Sequence, residues 1–210
     1  MSPGRGSLPK RLLAHELRLL ESLGRWVARR PEGTGPAGTG PAGMVQGARR
    51  FGYARDQAAY LYGFAFVCLV ETVGMAYLLA SWPVAHGVML VLDVYSVLFV
   101  LGWHAASVTR PHLLTGELLR VRQAAHLDVA IPLERIASVR HEPVYSHPRK
   151  DGVLAVTVAS GTSVTVELRE PVVVRPLLGR AYEVRVVRFH ADDPRGMVGA
   201  LRAGCGAAQN

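Results

Sequence analysis

Glu71 and Asp93 are the only formal charges in an apolar stretch spanning residues 57–109, and they are the side chains whose chemistry most needs explaining. An ionisable group at bilayer depth costs on the order of 3 kcal/mol on insertion scales and marks a functional position by default. In an antiparallel hairpin turning near Pro83, Glu71 stands level with about Val97 and Asp93 with about Met75. That offset is roughly one helical turn (~5 Å), so both carboxylates fit one seam between the helices. Two acids in such a low-dielectric seam cannot both carry charge at low cost. The pairing suits a proton or cation site, or polar glue between subunits. The plainer alternative is a protonated acid bonded to Thr72, Tyr95, Ser96 or backbone. Two helices cannot enclose a pathway by themselves, so an ion route would need a homo-oligomer.

The remaining chemistry-bearing residues are scattered. Eight histidines occur, and none has the spacing of a zinc site, so no metal or other cofactor is expected. Cys68 lies inside the first apolar helix and Cys205 near the C-terminus, environments too different for a disulfide. The segment 38–43 matches GxGxxG, but no strand precedes it and it contains Pro41, so it is not a phosphate loop. No nucleophile has a base at a useful spacing, and the chain is not expected to be an enzyme. Arg140, His147, Arg149 and Lys150 form the main basic surface of the C-terminal half, suited to anionic lipid headgroups or to a plain solvated turn.

The apolar stretch positions the two acids. It divides at Ser81-Trp82-Pro83 into helices near 58–82 and 84–109, each long enough for a bilayer core of ~30 Å at ~1.5 Å per residue. The turn has neither Lys nor Arg, whereas residues 1–56 carry ten basic and four acidic side chains. By the positive-inside rule both termini face the cytoplasm. Tyr60, Tyr62 and Trp103 then sit near the inner interface and Trp82 near the outer one. The net charge of +8 follows from this flanking Arg, and nucleic-acid binding is not expected, because the charges do not line a groove with aromatics. Basic residues are Arg except Lys10 and Lys150, which with abundant Ala, Val and Gly suggests a GC-rich bacterial genome.

Upstream, residues 8–30 have Leu13, Leu17, Leu20, Leu23 and Val27 at helical spacing with Arg on the other face, which suits a helix lying on an anionic membrane, packing on its own protein or forming a weak oligomer seam. The charges Glu16, Arg18, Glu21 and Arg25 deny this stretch a signal peptide's apolar core. The tandem Gly-Thr-Gly-Pro-Ala repeat over 33–42 reads as a flexible linker. Met44 follows it closely and is a candidate translation start, which would leave residues 1–43 out of the natural product; N-terminal sequencing tests this.

Downstream the period changes to that of strands, near 107–114, 117–123, 127–131, 136–143, 153–159, 163–168 and 183–190. The last two of the first six are expected to form a hairpin about Ala159-Ser160-Gly161-Thr162. A helix follows, with Asp193 as N-cap, Pro194 at its first position and Gly204 as its stop. The segments Leu113-Leu114-Thr115-Gly116-Glu117-Leu118-Leu119-Arg120-Val121 and Ile131-Pro132-Leu133-Glu134-Arg135-Ile136-Ala137-Ser138-Val139 resemble the bacterial PH-like (pleckstrin-homology-type) domains attached to two-helix hairpins in actinobacterial-type integral membrane proteins. The resemblance covers about 107–203 and implies an α+β barrel of about seven antiparallel strands and a C-terminal helix. The region 171–182, with two prolines, departs from it.

The expected organisation is thus an amphipathic helix (1–32), a linker and basic juxtamembrane segment (33–56), a transmembrane α-helical hairpin (57–109), a cytoplasmic PH-like domain (110–204) and a tail (205–210). The expected role is a non-enzymatic, membrane-anchored binding or scaffolding protein of the bacterial plasma membrane. Its partners would be the lipid bilayer, anionic headgroups or another membrane protein, and a homo-oligomer fits. The alternative is an oligomeric ion- or proton-pathway component using Glu71 and Asp93.

Overall fold

The computed structural model describes residues 8–28, 48–124, 126–148, 150–176 and 180–207. The linker 33–42 and Arg149 lie outside them. Two helices, α2 (Arg55–Leu78) and α3 (Pro83–Thr109), are long and apolar enough to cross a membrane. They pack side by side as a hairpin. Pro83 suits the first position of α3, where its missing N–H has no helical partner to lose. The reduced exposure on α2 follows Leu61, Ala65, Cys68, Thr72 and Met75, and on α3 Met89, Asp93, Val97, Val100 and His104. These i, i+3/i+4 stripes are the seam. Through the middle of the hairpin most other side chains stay exposed, among them Phe66, Val73, Tyr77 and Val91, whereas the last turns of α3 bury Ala105, Ala106, Ser107 and Thr109.

The sheet domain begins before the hairpin. Strand β1 (Arg49–Phe51) pairs antiparallel with β2 (His112–Leu114), Phe51 opposite His112. Residues 49–51, expected in the juxtamembrane linker, are therefore an edge strand, and the hairpin is an insertion between two neighbouring strands. β2 starts at His112 because α3 runs on to Thr109, two residues past the start expected for that strand. The first sheet continues with β3 (Leu118–Gln123) and β4 (Leu127–Pro132) in the order β1-β2-β3-β4.

The second sheet has the order β5-β7-β8-β6, with β5 (Ile136–Val144), β6 (Val153–Val156), β7 (Thr162–Val174) and β8 (Tyr182–Phe189). The described residues thus form eight strands in two sheets of four. The tight turn at Ala159-Ser160 does form, with Val158 and Gly161 exchanging backbone bonds of 2.9 Å. Its left-handed residues are Ala159 (φ 47°) and Ser160 (φ 66°), not the glycine. The flanking strands do not pair as the expected hairpin. They part to opposite sides of β8, where Val156 and Val164 both register with Phe189, and β6 runs parallel to β8. The sheet is therefore mixed, not wholly antiparallel. β7 passes Pro171 by shifting register between Glu167 and Val172, and Pro176 lies beyond its end at Val174.

Between the sheets lies one apolar core, including Leu119, Ile131, Ile136, Val166, Val187 and Phe189. Helix α4 (Pro194–Ala207) closes it with Met197 and Leu201, both fully buried. Asp193 caps α4 as expected, its carboxylate accepting the Gly196 N–H at 2.9 Å. The helix passes through Gly204 to Ala207, because Gly204 packs against the Leu133 side chain with no turn there. Helix α1 (Leu8–Val27) packs on α3, where Leu19 meets Gly102 and Ala106. Packing on its own protein, one of the readings of α1, is thus shown.

Candidate functional site

The base of the hairpin is the most densely bonded polar region described. His112 stacks on Tyr53 (4.7 Å between centroids) and meets Phe189 edge-on (5.0 Å). Its Nδ1 accepts the Arg122 backbone N–H at 3.1 Å, so Nε2 carries the proton and donates to the His190 carbonyl at 2.9 Å. Both ring bonds require a neutral imidazole. Burial pushes its pKa from the usual 6.5 down to about 4. The Tyr53 hydroxyl accepts the Ala124 N–H at 2.8 Å, which fixes the β3–β4 turn where Ala124 has φ 44°. Burial raises that phenol to about 12.

A second set of bonds ties the hairpin to β8. The Asp192 N–H donates to the Gly52 carbonyl at 2.8 Å, and its carboxylate accepts the Arg55 N–H at 3.2 Å, capping α2. A Cβ at Gly52 would lie 2.7 Å from the other carboxylate oxygen, Oδ2, so any larger residue there would push the Asp192 side chain aside. Next to it, His190 Nε2 sits 3.3 Å from Asp56 of α2. The adjacent acids Asp192 and Asp193 therefore start two different helices. Local sequence signalled only Asp193, since the helix capped by Asp192 begins 137 residues upstream.

The two mid-helix acids lie elsewhere. Tyr62 Oη meets His104 Nε2 at 3.0 Å, which sets the relative height of the helices. By that register Glu71 and Asp93 differ in depth by only about 3 Å. They do not share the expected seam: Asp93 lies on it, half-buried, while Glu71 is on the exposed outer side of α2. Among the described residues neither carboxylate has a hydrogen-bond or ion-pair partner. Thr72 and Ser96, expected as their partners, bond back to the Cys68 and Leu92 carbonyls of their own helices at 2.8 and 2.9 Å.

The expected basic surface also divides. Arg140 pairs with Glu167, whose carboxyl is held below the usual range by the Ser138 hydroxyl first and by Arg140 after it. His147 Nε2 lies 3.0 Å from the Thr162 hydroxyl. Arg140 registers with Thr165, three residues along β7, or about 10 Å. Lys150 is exposed.

Arg140 instead joins a shallow groove of about 480 Å³ with His141, Arg195, Val198, Gly199 and Arg202. Arg202 is held there by two bonds to the Val139 carbonyl of edge strand β5, at 3.0 and 3.2 Å. Comparison with protein-family models, curated proteins and solved structures finds no match. Any functional reading therefore stands on this geometry. Arg195 and Arg202 escaped the sequence reading because they lie far from the 140–150 loop. Their spacing, i and i+7 around Val198 and Gly199, is the signal that places both on one face of α4.

The groove starts toward the hairpin end of the sheet domain, at His141 and Arg195, and runs along α4 to Arg202 beside Val139. Phe189, Val164 and Val156 stand at one level beside His190 and Asp56, and His141 is opposite Val164. Arg195 belongs to the first turn of α4, which starts at the same end.

Proposed function

We propose that this protein is a non-enzymatic, membrane-anchored binding or scaffolding protein of a bacterial plasma membrane. In this reading α2 and α3 span the bilayer, both termini are cytoplasmic, and a PH-like sheet domain stands at the inner leaflet. One observation carries it: the hairpin grows from between β1 and β2, and its base is bonded to β3 and β8 through Tyr53, His112 and Asp192. A domain connected so tightly cannot swing away from the membrane, so its basic groove is held near the bilayer at high effective concentration for a headgroup or a neighbouring protein.

The aromatic residues support the span. Tyr60 and Tyr77 are highly exposed near opposite ends of α2, 17 residues apart, or roughly 26 Å at the helical rise. That matches two interfacial belts around a hydrocarbon core. The cations Arg49, Arg50 and Arg55 cluster at one end, and the turn at the other has none.

The test uses the full chain in its native membranes, with a photo-crosslinking side chain at position 195 and, as control, at position 84. Position 195 should capture a specific polypeptide or anionic lipid, unchanged in a Glu71→Gln, Asp93→Asn double variant. Equal capture at both positions, or loss of capture in the double variant, overturns the reading. A periplasmic signal from a C-terminal tag would overturn the topology.

A further inference from the structure

We propose that a second copy of this chain covers the outer face of α2, forming a two-fold dimer whose interface centres on Glu71. The inference rests on the reading that α2 spans the bilayer and concerns what that reading leaves unsatisfied. Glu71 lies eleven residues from Tyr60 and six from Tyr77, between the two belts and inside the core. Measured to the Tyr60 and Tyr77 belts, the nearer one is about 9 Å along the helix. A Glu side chain is too short to snorkel that distance. Asp93 is sheltered by the seam, but Glu71 faces outward without a partner among the described residues.

Acids at such depth are rare on a lipid face and pair with one another or with other polar groups. A partner must therefore bring a hydrogen-bonding group to the same depth. A second copy in the same membrane orientation does so by symmetry, because the axis along the membrane normal sets Glu71 against Glu71. A carboxylic acid carries one O–H donor and a carbonyl acceptor, so two such groups set face to face can satisfy each other.

The surrounding surface permits the approach. Gly63, Val67, Glu71 and Gly74 succeed one another at spacings of four, four and three along one edge of α2, all exposed. Beyond both Gly63 and Gly74 there is open space where a Cβ would be. Small residues at these positions let two helix backbones come close, as van der Waals packing between membrane helices requires. α1 packs on α3, on the other side of the hairpin, and leaves this edge uncovered.

The experiment uses the full chain reconstituted in phosphatidylcholine–phosphatidylglycerol vesicles. Single cysteines at Val67, Val70 and Gly74, in a Cys68→Ala, Cys205→Ala background, should crosslink within the copy pair; a cysteine at Val73 should not. Energy transfer between labelled copies should persist in Glu71→Gln, which keeps donor and acceptor, and weaken at least tenfold in Glu71→Leu. Monomeric wild-type chain in vesicles from which alkaline wash does not extract it would refute the dimer while leaving the membrane reading intact. Crosslinking through Val73, undiminished association of Glu71→Leu, or pairing only when another membrane polypeptide is added would equally refute it. Extraction by alkaline wash would refute the membrane reading itself.

Discussion

The middle and the base of the same hairpin treat polar groups in opposite ways. At the base, Tyr53, His112 and Asp192 all have partners from distant segments, and aromatic rings close over His112. In the middle, Glu71 and Asp93 have carboxylates with no partner within the chain among the described residues. If α2 and α3 span a bilayer as proposed, both carboxylates sit in hydrocarbon, where a polar group needs a partner. The base is finished by one copy of the chain. The middle is not.

Breaking the base should have the largest effect. His112→Ala would leave the Arg122 N–H and the His190 carbonyl unpaired and open a cavity beside Phe189, costing about 4 kcal/mol. Urea unfolding in micelles, followed by the fluorescence of Trp103 stacked on His126 at 5.1 Å, would measure it. A change below 1 kcal/mol would show that the base is not a structural lock.

The same residue predicts a pH dependence. Its folded pKa of about 4 lies below the ordinary 6.5, so the unfolded chain binds the extra proton in between. The stabilisation is therefore whole above the unfolded value and is lost as pH falls toward the folded one, on the order of 3 kcal/mol in all. Comparing the wild-type slope over that window with that of His112→Asn isolates it; equal slopes would assign the dependence to other groups.

A test of the middle comes next. Val73, exposed on α2, should tolerate Leu without effect, whereas Val73→Arg should cost about 3 kcal/mol of apparent insertion free energy in a glycosylation-reporter assay. Full insertion of the Arg variant would remove the lipid contact from this face. Smaller still, Tyr53→Phe removes the acceptor of the Ala124 N–H and should cost about 1–2 kcal/mol in the same urea experiment. The smallest change is expected in α1. Glu21 and Arg25 pair at 2.6 Å on an exposed face, and Glu21→Ala should alter stability by less than about 0.5 kcal/mol.

Much of the fold is legible in the chain because the deciding forces are local. A long apolar run interrupted by a proline turn can satisfy its backbone in lipid only as helices. β3, β4 and the first half of β7 follow side-chain alternation, and Asp193-Pro194 starts α4 by bonds within its first turn. The basic groove was half legible: Arg140 stood out, but its neighbours Arg195 and Arg202 join it only through the packing of α4 on β5.

By itself, then, the sequence determined that two helices could enter a membrane, that strands follow them, and that two acids fall at mid-depth, since hydrophobic period and length need no distant partner. Only the tertiary structure decided that β1 belongs to the sheet, that β6 runs parallel to β8, and that Asp192 caps α2. It also turned Asp93 toward the seam and Glu71 away from it. Each of these depends on which segments meet across long separations in the chain, and no local pattern records a contact whose other half lies a hundred residues away.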